Sequence, residues 1–105
     1  MLVSFVLAAR SAEFHGWISD AACGWNNARP APEAKDCAVK CVRQGWAPVF
    51  VQDGRMDAFK LSDKTPAMPF IGDHVTVAGE LKADVLTIRS LRRSPPPKAP
   101  SKPAK

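Results

Sequence analysis

Three cysteines, Cys23, Cys37 and Cys41, are the side chains of this chain best suited to chemistry. In an oxidising compartment the first expectation is a disulfide. Cys37 and Cys41 stand four apart, which on a helix gives roughly parallel Cβ vectors and a poor bridge. Cys23 lies on the preceding segment and could reach either, so Cys23–Cys41 and Cys23–Cys37 are the candidate pairs. Such a bridge would stabilise by about 3 kcal/mol in the chain-entropy account. The competing chemistry is a soft-metal site. Three thiolates suit Zn²⁺ or Cu(I), with Asp20 or His15 as a fourth ligand. A thiol redox role needs a low-pKa thiolate and a resolving partner, and C-x-x-C is absent.

Other residues offer less. Trp17 and Trp25, if exposed side by side, would make a stacking platform for a ligand; Trp17 covering the end of the fold is the alternative. Asp20 ends an alternating run and suits a turn cap. His15 and His74 read as outward-facing strand residues. No nucleophile–base–orienter set, paired carboxylates or glycine-rich phosphate loop can be picked out of the sequence.

The elements that must position these residues are short. Phe14, Gly16 and Ile18 alternate with His15 and Trp17, which predicts a strand ending at Ser19-Asp20. Pro32-Glu33 suits a helix first turn, with Gly45 as the stop after Gln44. Val49-Phe50-Val51 is the densest β signal, Asp53-Gly54 a hairpin turn, and Phe59 and Leu61 mark the return strand. Ser62–Phe70, with two prolines, reads as a loop. Val75 and Val77 begin a fourth strand, Gly79–Ala83 reads as a connection, and Leu86 and Ile88 mark the fifth. The expected fold is mainly β: a small five-stranded OB-like barrel with one short helix between strands 1 and 2. Closure would remove exposed sheet edges.

The ends read differently from this body. Leu2–Ala9 is an apolar run of eight, too short to span a bilayer as a helix. With Ala9-Arg10-Ser11 behind it, the run matches a signal-peptide core and cleavage site without the basic start. Residues 1–11 are therefore set apart as a truncated signal-like segment, 12–93 as the domain and 94–105 as a tail. Ser94–Lys105 holds five prolines and three lysines, a composition for polyproline-like disorder. Such a tail solubilises, or attaches weakly to an anionic surface.

The net charge of +5 invites a nucleic-acid reading. However, Arg92, Arg93, Lys98, Lys102 and Lys105 all fall in the last fourteen residues, which hold no Asp or Glu. The remainder carries 10 basic and 10 acidic residues. A neutral body argues against phosphate tracking, so nucleic acid is an unlikely partner.

Three stretches together resemble a family. They are Gly16-Trp17-Ile18-Ser19-Asp20-Ala21-Ala22-Cys23-Gly24, Cys37-Ala38-Val39-Lys40-Cys41, and Gly72-Asp73-His74-Val75-Thr76-Val77-Ala78-Gly79. The chain from about residue 14 to 91 is similar to small exported bacterial domains with an OB-like barrel and the pattern G-x-I-S-D-x-x-C-G … C-x-x-x-C … G-x-x-V-x-V-x-G. The resemblance implies the fold and a periplasmic or secreted location. Such proteins often carry a His shortly after the first Cys-Gly; here Trp25-Asn26-Asn27 stands instead. The helix lies between strands 1 and 2, where the common OB order has it between strands 3 and 4. The function expected is a non-enzymatic module that binds a small ligand, a partner protein or an envelope component. A thiol or metal protein and an oligonucleotide-binding barrel are the alternatives.

Overall fold

The computed structural model describes residues 11–97. The signal-like segment falls, but for Ser11, outside the described residues, as does the tail beyond Pro97. The run from Ala12 to Asp20 forms strand β1. Strand β2 covers Pro48–Gln52, β3 Ala58–Leu61, β4 His74–Lys82 and β5 Val85–Arg93. Helix α1, Pro32–Arg43, lies between β1 and β2. Pro32 is tolerated at the start because its missing N–H would be unpaired there anyway. Gly45, at φ 109°, follows the helix end where a left-handed residue is needed.

Five strands join into a closed ring in the order β1-β2-β3-β5-β4, with β4 returning to β1. Four pairings are antiparallel; β3 and β5 run parallel. β1 sits between β2 and β4, so Gly16 faces both Gln52 and Val75. A Cβ at Gly16 would collide with the Val51 carbonyl, which is why a glycine holds this position.

Ile18, Phe50, Phe59, Val75, Val77 and Leu86 fill the inside of the ring, and Ala38 of α1 packs onto the same cluster. Trp17 points the other way, as alternation requires. It is 3% exposed, packed with Ala28, Val49 and Val51, with half-buried Trp25 against it. The open tryptophan platform is therefore not formed. The 3-10 turn Gly24–Asn27 and the loop behind it fold over β1 and close the indole in.

Two connections differ from expectation. Thr65–Phe70 is a 3-10 helix, not an irregular loop. Its first proline falls in the opening turn, where no N–H is missed. Gly79 does not begin a connection. β4 runs through it to Lys82 with a register shift at Ala78/Gly79, and the true turn is Ala83-Asp84, with Ala83 at φ 55°. The glycine signalled a bulge against Thr87, which a Cβ would obstruct.

Candidate functional site

The chain after β1 is folded by Asp20, which is wholly buried. Its Oδ2 accepts the Cys23 backbone N–H at 2.9 Å and its Oδ1 accepts Asn27 Nδ2 at 2.8 Å. Ser19 Oγ donates to the Gly24 carbonyl at 2.7 Å. Together these bonds turn the strand end into the 3-10 turn and set Cys23 beside α1. Cys37 and Cys41 lie one turn apart on that helix. The Cys37 thiol lies near both Cys23 and Cys41, and Asp20 lies near Cys23 and Cys41. Cys37, rather than Cys23, is the central thiol.

This environment disfavours thiolates. Burial raises the Cys23 thiol, and Asp20 and Cys37 add to it. Cys41 is pushed up to about 11, first by burial and then by the Asp20 charge. All three thiols are free and no two are at disulfide distance, so neither Cys23–Cys41 nor Cys23–Cys37 is bridged. Among the described residues no group of three or more His, Cys, Asp or Glu is placed to hold a metal ion. Each oxygen of Asp20 already accepts one hydrogen bond, from the Cys23 N–H and from Asn27. His15 is exposed elsewhere on the ring, bonded to Thr76 at 3.0 Å and 3.6 Å from Glu13.

A second polar cluster was not foreseen, and it corrects one reading: His74, expected to face outward, is buried at its centre. Strand register places His74 opposite Trp17 on β1, and the backbone N–H of Ser94, just past β5, bonds the His74 carbonyl. The imidazole is buried. Its Nε2 meets Asp53 Oδ2 at 2.8 Å, and its Nδ1 meets Ser94 Oγ at 3.1 Å and the Ser94 carbonyl at 3.1 Å. Thr76 Oγ1 donates to Ser94 Oγ at 3.0 Å. Trp17 packs edge-on to the imidazole, with centroids 5.1 Å apart.

Donor count fixes the direction of this series. A carboxylate only accepts, so His74 Nε2 carries the proton facing Asp53. In the neutral ring Nδ1 then has a lone pair. Ser94 Oγ already accepts from Thr76 and gives its own proton to that lone pair. In the imidazolium, Nδ1–H is satisfied by the Ser94 carbonyl instead.

His74 and Ser94 open onto a cavity of about 320 Å³. Its walls are Trp17, the segment from Arg29 into α1 as far as Lys35, the Gly72-Asp73 turn, and Arg93. Arg29, Lys35 and Arg93 line it together with Asp73, and Arg29 also lies 3.7 Å from the Glu33 carboxylate. Lys35 Nζ and Arg93 Nε each contact Asp73 at 2.9 Å, and Arg93 also lies over the Phe70 ring. The charge count on the sequence put Arg92 and Arg93 with the tail. Both belong to β5, opposite Thr76 and Val75, and Arg93 brings its charge to the cavity. Trp17 Nε1 and Asp53 Oδ1 are buried without a hydrogen-bond partner. Uncompensated polar atoms of this kind are uncommon.

Sequence reasoning missed Asp53, which read as a hairpin turn, and Ser94, which read as the start of the tail. Comparison with family models, curated proteins and solved structures finds no match to this chain.

Proposed function

We propose that this chain is an exported OB-like barrel that binds a small anionic ligand in the cavity between β1, the start of α1 and the end of β5. The observation that carries the reading is the charge about that cavity: Arg29, Lys35 and Arg93 against two carboxylates, Asp73, which Lys35 and Arg93 share, and Glu33, 3.7 Å from Arg29, a surplus of one positive charge. A carboxylate or phosphate entering that open cleft meets a surplus of positive charge, with Lys35 and Arg93 free to turn toward it from Asp73.

The OB-like assignment is supported by the closed ring and by the 3-10 segment between β3 and β4, where the common OB order has its helix. Export is supported by the Leu2–Ala9 run and is tested by fractionating cells that express the full chain. Among the described residues no helix is long and apolar enough to cross a membrane.

Titration calorimetry with citrate, succinate and inorganic phosphate tests the binding. The expected result is measurable heat with at least one anion, weakened about tenfold or more by Arg93→Ala and by added salt. No heat from any of the three anions rejects the reading.

A further inference from the structure

We propose that Ser94 is a base-activated nucleophile: its hydroxyl, hydrogen-bonded to His74 Nδ1 and facing the cavity, takes the acyl group of a small ester. The carrying observation is the directed series of four polar groups. Thr76 Oγ1 donates to Ser94 Oγ at 3.0 Å, Ser94 Oγ meets His74 Nδ1 at 3.1 Å, and His74 Nε2 meets Asp53 Oδ2 at 2.8 Å. Thr76 donates a hydrogen bond to Ser94 Oγ, so the serine's own hydroxyl proton is free to point at the base. In the neutral ring, Asp53 at Nε2 leaves Nδ1 unprotonated and facing Ser94 Oγ; once Nδ1 takes the proton, the Ser94 carbonyl, also 3.1 Å away, accepts from it. This is a nucleophile, a base and an orienting group, the arrangement that activates a serine. The ring nitrogens are exchanged relative to serine hydrolases, with Nδ1 facing the serine and Nε2 the carboxylate. That places the base closer to its own backbone and holds the nucleophile near β4.

The step balances without a further reagent. Ser94 Oγ bonds to the ester carbonyl carbon as its proton passes to His74 Nδ1. The carbonyl π pair moves to oxygen, and the cationic side chains of the cavity favour that charge. The pair then returns, the bond to the leaving alcohol breaks, and His74 gives the alcohol its proton. Water attacks the acyl-serine by the same route, releasing a carboxylic acid and restoring Ser94. Of the groups involved, Ser94 and His74 are the catalytic pair; Asp53 and Thr76 are positioning residues.

The preference for acyl groups bearing a carboxylate rests on the anion-binding reading; the relay itself does not. Two esters separate the two. The full chain is incubated with p-nitrophenyl acetate or with the hydrogen succinate ester, and the acylated residue is found by peptide mass mapping. The expected result is acylation of Ser94, its absence in Ser94→Ala, and a rate at least tenfold lower in His74→Gln. The succinate ester is expected to react several-fold faster than the acetate. Equal rates with Ser94 acylated by both would keep the relay and overturn the anionic preference. Acyl groups found only on lysines, with Ser94 unmodified in the wild-type protein, overturn the proposal whether or not the variants fold.

Discussion

Asp20 and Asp53 each stand beside a nucleophile, to opposite effect. Asp20 meets thiols directly, and its charge adds to burial in holding Cys23 and Cys41 protonated. Asp53 meets an imidazole, and there the same charge orients a base toward a serine. A carboxylate next to an acid suppresses its anion; one step removed, through a histidine, it favours proton loss from the hydroxyl beyond. Burial separates them further. Asp20 is wholly enclosed with both oxygens bonded, whereas the Asp53 side chain is 24% exposed and its Oδ1 is unpartnered. Asp20 therefore builds the fold around the cysteines, and Asp53 positions a side chain in a site.

The largest expected effect tests that division. Asp20→Ala removes two charge-assisted bonds and leaves Asn27 Nδ2 and the Cys23 N–H unpaired. A loss of about 3 kcal/mol is expected in urea unfolding. A loss below about 1 kcal/mol would mean that the turn after β1 does not depend on this carboxylate. Next in size is Gly72→Ala, on the cavity side. Gly72 has φ 85°, and a Cβ there would come within 2.9 Å of Lys35 Cα. The backbone strain and the shift of α1 together should cost about 2 kcal/mol. The same variant should lose the heat of anion binding, because Lys35 would be moved off the cavity wall. A variant that binds anions as well as the wild type would remove Lys35 from the site.

Asp53→Ala should cost only about 1 kcal/mol, since its carboxylate makes one bond and is partly solvated. Equal costs for Asp20→Ala and Asp53→Ala would erase the distinction drawn between them.

The first cluster was legible in the sequence and the second was not, for a physical reason. Asp20, Cys23, Cys37 and Cys41 come from one strand end, one turn and one helix. The C-x₃-C spacing places two of them on a helix face, and Pro32 and Gly45 mark where that helix starts and ends. Local geometry sufficed to gather these four, although it made Cys23 the thiol shared by both candidate bridges, where the structure puts Cys37 near both of the others. Asp53, His74 and Ser94 come from a hairpin turn, the start of β4 and the end of β5. They meet only because β4 pairs with β1 and β5 in one register, and a slip of one residue would turn His74 to the other face. The five strands were visible as alternation. The bulge at Gly79 and the 3-10 helix at Thr65–Phe70 were hidden by glycine and proline, whose local meaning depends on what packs against them.

A titration separates the thiols from the imidazole by pH. Cys41 holds its proton more tightly folded than unfolded, with its thiol at about 11 against an ordinary 9.0. Folding is therefore favoured by this group fully below pH 9.0, and that contribution is lost as pH climbs from 9.0 to about 11. Many groups titrate in that range, so the informative quantity is a difference. Urea midpoints of the wild type and of Cys41→Ser, followed from neutral pH to about pH 11, should run parallel below pH 9.0 and converge above it. Asp20→Asn should weaken the convergence by removing the charge that opposes the thiolate, while leaving the contribution of burial. At pH 8 a thiol this strongly held is about a hundredfold poorer in thiolate than an ordinary one, so iodoacetamide should alkylate Cys41 slowly. Fast alkylation at neutral pH, or midpoints that stay parallel throughout, would show that Asp20 does not suppress the thiol. The two aspartates would then no longer differ in the chemistry they permit beside them.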